Sequence, residues 1–220
     1  LVVLVFLCMM QRDFGSAVMM GLLTFAVMYV GGVKKRLLIL LSVSGMVLGY
    51  GIIRWGAAYR FERIVAFFDA ESHRQEAAHQ AFQSLSALAH GGTLGVGYGE
   101  STHKLAFLFG SHTDFIASIV GEELGFAGFA LLLTAYFAIA VRGLLAGLRA
   151  PDAFGRQLAV GLASFIALQA YVNLAVVLKL APTKGLALPF MSYGGSSMLM
   201  NCLVVGILLN ISRRPQGLRT

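Results

Sequence analysis

The chain is predicted to be an all-α polytopic membrane helix bundle, and three observations carry that prediction. Of its residues 58% are hydrophobic, its mean hydropathy is +0.78, and apolar runs of roughly 17 to 23 residues recur along it. Soluble domains average nearer ~45–50% apolar residues, whereas runs of this length cross a hydrocarbon core of about 30 Å with modest tilt or local thinning. Five full spans are expected: Phe14 to Val30, Leu37 to Ile53, Leu124 to Val141, Leu158 to Leu180 and Ser196 to Ile211. One truncated span precedes them, because Leu1 to Met10 is apolar from the first residue and covers only half a bilayer. The chain is therefore expected to be the C-terminal part of a larger protein, with residues 1–220 forming a single integral membrane domain.

Lys and Arg in short connections mark the cytoplasmic side. Lys34-Lys35-Arg36, the Arg142 to Arg156 connection and the tail with Arg213, Arg214 and Arg219 alternate correctly across five spans. This places residues 54–114 in a large extracytoplasmic loop containing short helices, residues 181–195 in a re-entrant outer loop, and the C-terminus in the cytoplasm. The formal charge of +7 is then an orientation signal. Nothing arranges it as a stripe for nucleic acid, and no nucleic-acid partner is expected. Cys8 and Cys202 sit in apolar segments, too isolated for a disulfide framework or a metal site.

The titratable groups are concentrated. All five histidines (His73, His79, His90, His103, His112) and every acid except Asp13 and Asp152 fall between Glu62 and Glu123. Ionisable groups held beside a bilayer are costly and mark function. Residues 60–69 alternate charge with aromatic side chains and suit an amphipathic segment in the interface. His73 to Ala89 is free of Pro and Gly and predicts a helix that stops at Gly91-Gly92. The run from Gly91 to Gly99 superficially resembles a nucleotide-binding loop, but no strand precedes it and no Walker lysine follows. A tight loop whose glycines permit positive φ and close helix approach is the preferred reading.

Asp114 lies where this polar stretch meets apolar helix. Against a low-dielectric wall its carboxylate would become more basic, as a general base requires. The alternative is that Thr113 or Asp114 only caps a helix beginning at Phe115. Glu122 and Glu123 follow a little over two turns deeper, where a buried carboxylate needs a partner, and an Arg or Lys is expected to hold at least one of them. In the last outer loop Pro182, Pro189 and Gly194-Gly195 break the helix, and non-helical backbone at membrane depth is tolerated only where it is packed in protein or lines a cavity. Lys184 with Ser192, Tyr193, Ser196 and Ser197 could neutralise and orient a phosphate; the alternative is a lysine snorkelling beside a turn. Gln169 and Asn173, four apart, serve either as interhelical hydrogen-bond glue or as lining of the same cavity. The histidines are too irregularly spaced along the chain to indicate zinc, and His112 is expected to orient its loop.

Five stretches together resemble one family: residues 11–17 (Gln-Arg-Asp-Phe-Gly-Ser-Ala); Arg63 to Phe67 with Gln80, Gln83 and Ser84; Gly91-Gly92 with Gly95, Gly97 and Gly99; His112 to Ile116 with Gly121 to Gly125; and Pro182 to Gly185 with Leu188 to Ser197. The pattern resembles the SEDS family (shape, elongation, division and sporulation), the FtsW/RodA/SpoVE polymerases of bacterial cell-wall synthesis. The resemblance implies ten membrane helices, of which about four and a half are absent here, and a location in the bacterial cytoplasmic membrane. It also implies a peptidoglycan glycosyltransferase that polymerises lipid II on the outer face, working with a class B penicillin-binding protein transpeptidase.

On that resemblance Asp114 matches the catalytic aspartate. Lys184, Arg60, Arg63, Lys104, Ser196 and Ser197 become candidates for the diphosphate, with His112, Thr113, Glu122, Glu123 and Gln83 in support. A divalent cation (Mg or Mn) on the diphosphate is left open. The chain departs from the family at Leu108-Phe109-Gly110-Ser111, where Leu-Pro-Glu is usual, and at Arg12 and Ala70, where Pro is usual. A lipid II flippase and a non-catalytic transpeptidase scaffold are the rival functions, and the fragment alone is expected to be inactive.

Overall fold

The computed structural model describes residue 8 and residues 14–55, 76–103, 113–181 and 185–213. Among them are six helices and no strand: α1 (Phe14–Val30), α2 (Lys35–Trp55), α3 (Glu76–Gly91), α4 (Ile116–Arg149), α5 (Ala153–Val177) and α6 (Gly195–Ser212). The all-helical expectation holds. A helix stands at each of the five expected spans, and three of them, α4, α5 and α6, are long and apolar enough to cross a membrane. The half-span before Phe14, the amphipathic segment 60–69, and Arg60, Arg63, Lys104, His112 and Lys184 lie outside the described residues.

Local chemistry sets the helix ends. α1 stops at a glycine pair: Gly32 takes φ 76°, and the Val33 amide donates to the Met28 carbonyl at 3.2 Å, which satisfies a carbonyl the helix would otherwise orphan. α5 uses the same device with a lysine, Lys179 at φ 55°, and the Leu180 amide reaches back to the Ala175 carbonyl at 2.7 Å. α4 runs on to Arg149, two turns past the expected Val141, because Gly143 and Gly147 are accommodated within the helix and no proline interrupts it before Pro151. The connection therefore shrinks to residues 150–152, and Arg142, Arg149 and Arg156 lie within the flanking helices. Asp152 caps α5, accepting from the Gly155 amide at 2.7 Å.

The chain divides into two compact units. In the first, built from residues 1–43, 136–169 and 198–220, α4 and α5 meet along small residues. A side-chain carbon at Gly143 would lie 2.7 Å from the Ala163 methyl, and one at Gly147 would lie 3.0 Å from Val160, so the backbones approach as glycine alone allows. Large apolar side chains such as Leu37, Phe137, Leu148 and Leu199 are exposed, as expected of surfaces whose solvent is lipid.

The second unit, residues 44–135 and 170–197, carries the polar chemistry. α4 is interrupted at Gly125, with φ 67° and ψ −168°. The glycine run after α3 fills the gap. The Phe126 amide donates to the Gly92 carbonyl at 2.9 Å and the Ala127 amide to Thr93 at 3.2 Å, while Val96 and Gly97 donate to the Glu122 and Glu123 carbonyls at 3.0 and 3.2 Å. Backbone groups freed by the break are thus paired within protein, as a non-helical turn in a membrane helix demands. Close-approach glycine is required here. A side-chain carbon at Gly95, itself at φ 83°, would overlap the Glu123 carbonyl, and one at Gly91 would overlap that of Gly121.

Candidate active site and the adjoining carboxylate cluster

Asp114 sits in a turn over residues 113–115, immediately before α4. Its described neighbours hold the backbone rather than the carboxylate. Buried Asn173 of α5 donates from Nδ2 to the Asp114 carbonyl at 2.8 Å and to the Leu186 carbonyl at 2.6 Å, so one side chain ties the turn to the non-helical segment 185–194. Ser192 Oγ donates to the Thr113 carbonyl and accepts from the Leu188 amide at 2.6 Å. Leu188 and Pro189 are buried, and they anchor that segment. Its backbone then runs beside the acid, since a side-chain carbon at Gly185 would lie 3.2 Å from Asp114 Oδ2.

Among the described residues no hydrogen bond ends on the Asp114 carboxylate, so a cap through Asp114 is not observed there; Thr113, the other candidate cap, is half-buried in the same turn. Partial burial raises its pKa above the ordinary 3.8, because the low-dielectric surroundings disfavour the charge without a compensating donor. Asn173 proves to be glue, joining a helix to two loops rather than helix to helix. Ser196 is exposed and Ser197 half-buried in the first turn of α6, and Gln83 is half-buried on α3.

The other acids are arranged differently. Glu122 and Glu123 are both buried. Glu122 accepts from Ser101 Oγ on Oε2 and on Oε1 from Thr102 at 3.2 Å. The same Oε1 lies 2.9 Å from His90 Nδ1 and 2.8 Å from His103 Nδ1. For Glu122, imidazoles and hydroxyls rather than an Arg or Lys are the partners among the described residues, because the glycine run folds back on α4 and carries residues 101–103 to it. The sequence reading missed Ser101, Thr102, His90 and His103 as a group. They lie 19 to 32 positions from Glu122, a separation for which no helical or strand period gives a signal.

A multi-pass helical membrane protein with a partly buried carboxylate beside a non-helical segment is the class these features define. A profile of the FtsW/RodA/SpoVE family, described as "Cell cycle protein", matches residues 1–217, and the chain belongs to that family. It is 40% identical over 215 residues, 98% of its length, to a protein of Geobacter sulfurreducens named "Probable peptidoglycan glycosyltransferase FtsW". It is 43% identical over 216 residues to a protein of Trichlorobacter lovleyi with the same name, covering 96% of this chain. It spans 57% and 55% of those two relatives. A solved structure titled "Structural coordination of polymerization and crosslinking by a peptidoglycan synthase complex" superposes with a TM-score of 0.79 at 29% identity, over 96% of this chain and 58% of the other.

Proposed function

We propose that the whole protein to which this chain belongs is a peptidoglycan glycosyltransferase that polymerises lipid II at the outer face of the bacterial cytoplasmic membrane, with Asp114 as its general base. The observation that carries the proposal is the Asp114 turn: a partly buried carboxylate of raised pKa, its backbone held by Asn173 and Ser192 and its side chain beside the 185–194 segment. The relatives' names point the same way. In this reading the loops at 54–114 and 181–195 are extracytoplasmic and the C-terminus is cytoplasmic.

Asp114 removes the proton from the acceptor sugar's 4-hydroxyl as that oxygen attacks the donor's anomeric carbon. Polyprenyl diphosphate departs, and displacement from an α-linked donor yields a β linkage. One carboxylate suffices, because diphosphate is a good leaving group that needs charge neutralisation more than protonation. Lys184, Arg60, Arg63 and Lys104 are the candidates for that neutralisation, with Ser196 and Ser197 as hydroxyl donors. A divalent cation, Mg or Mn, bound through the substrate's own phosphates would add positive charge at the diphosphate. A class B penicillin-binding protein transpeptidase is the proposed partner, consistent with a structural neighbour described as a peptidoglycan synthase complex.

The test is reconstitution of the full-length protein with that transpeptidase and labelled lipid II. Glycan polymer from wild type and none from Asp114→Asn supports the assignment, and equal polymer from both discards it. Lipid movement across the bilayer without polymer would favour a flippase, and transpeptidase binding without either activity a scaffold.

A further inference from the structure

We infer that His90, His103 and Glu122 form a zinc site that staples the segment after α3 onto α4, separate from Asp114 and independent of the reaction proposed for it. The two imidazole Nδ1 atoms and a Glu122 carboxylate oxygen lie within 4.8 Å of one another. They come from three places: the last turn of α3, the end of the loop that fills the α4 break, and α4 itself. Two imidazoles and a carboxylate are a borderline donor set suited to Zn²⁺, which leaves a fourth position for water.

Three features make this more than a chance cluster. Glu122 Oε1 is the focus of two imidazoles and the Thr102 hydroxyl, so donors crowd one oxygen, while among the described residues Ser101 holds Oε2. A ligating carboxylate is arranged in this way, with one oxygen toward the ion and the other fixed by an outer hydrogen bond. Glu122 is completely buried, yet among the described residues its ionic contacts are to histidines; these can turn their Nδ1 lone pairs to a metal, as Arg and Lys cannot. The His90 side chain is half exposed, so the site has an access path and a place for the water ligand.

The present 2.8 and 2.9 Å separations are hydrogen-bond lengths. Tetrahedral zinc at its usual bond lengths separates ligand atoms by ~3.3 Å, so binding lengthens each Glu122–imidazole separation by about half an ångström. The imidazoles then carry their protons on Nε2. No bond to substrate is involved, and Asp114 is not a ligand.

The experiment uses full-length protein purified in detergent, stripped with chelator and titrated with Zn²⁺, and with Co²⁺ as a spectroscopic probe. The expected result is one equivalent bound, visible absorption from four-coordinate Co²⁺, and a higher melting temperature with metal. His103→Gln keeps a donor for Glu122 and His90→Asn changes a half-exposed position, so both variants are expected to fold with the metal-free melting temperature of wild type. Loss of even an outer-shell partner typically weakens metal sites ~10–100-fold, so each variant is expected to bind Zn²⁺ at least about tenfold more weakly, and the double variant not measurably. Failure of wild type to bind one equivalent, or equal binding by wild type and the double variant, overturns the inference. Asp114→Asn must bind zinc normally, so loss of the polymerase proposal and loss of this one read out separately.

Discussion

Asp114 and Glu122 stand eight residues apart on the same stretch of chain, yet their surroundings differ in kind. Asp114 is held by its backbone: Asn173 and Ser192 fix the turn, and among the described residues no hydrogen bond reaches the carboxylate. Glu122 is held by its side chain, with two imidazoles and two hydroxyls converging on it. A carboxylate fixed only through the main chain can change protonation state without breaking the structure around it. One enclosed by donors is committed to its charge. The contrast separates an acid available for proton transfer from one that joins chain segments.

The largest expected effect is on the first acid. Asp114→Asn in the full-length protein is expected to lower polymer formation by about 10²–10⁴-fold, the usual worth of a general base, with little change in melting temperature. A melting temperature lost together with activity would mean that Asp114 is structural after all. The raised pKa also fixes the sign of the pH profile. The base works deprotonated, so the rate falls as pH drops through the raised value and levels off above it, and the rate of an Asp114→Asn protein should show no such limb. For stability the sign reverses. A carboxyl that keeps its proton longer when folded contributes stability that is present below its unfolded value and lost as pH rises through the folded one.

Glu122→Ala should do the opposite of Asp114→Asn. Removing the acceptor from a buried network is expected to cost on the order of 3 kcal/mol, read as a drop in denaturation midpoint, and any activity lost should track the folded fraction. Asn173→Leu, next in size, removes both of its hydrogen bonds, with an expected cost of about 1–3 kcal/mol. It should also lower kcat more than it raises KM if the turn's position matters. The smallest pair compares two glycines of one loop. Gly95→Ala meets the Glu123 backbone, whereas Gly92→Ala finds open space and pays only for its positive φ. Overpacking costs about 1–3 kcal/mol and left-handed strain about 1–2, so Gly95→Ala should melt lower than Gly92→Ala.

The helices were legible because a bilayer writes them in composition: runs such as Leu158 to Leu180 need no partner to be recognised. Their ends were less so. α4 continues through Arg142 and Arg149, which read as connection, since long basic side chains are good helix formers. Asp114 was legible as a polar residue at an apolar boundary. The glycine run was legible as a close-approach loop, and Gly91 and Gly95 show why. What the sequence could not disclose is pairing across distance. His103 reaches Glu122 only because Gly92 to Gly97 folds into the break at Gly125, and Asn173 meets Leu186 because Lys179 turns the chain back.

That break has a further consequence for tolerance to length change. Surface loops ordinarily accept an extra residue at little thermodynamic cost, but between Gly92 and Gly97 the main chain exchanges four hydrogen bonds with a single interruption of α4. One inserted residue would throw donors opposite donors, as a slipped tooth jams a zipper. Exposed side chains of this segment such as Thr93 and Leu94 are expected to tolerate substitution far better than the segment tolerates a change in residue count.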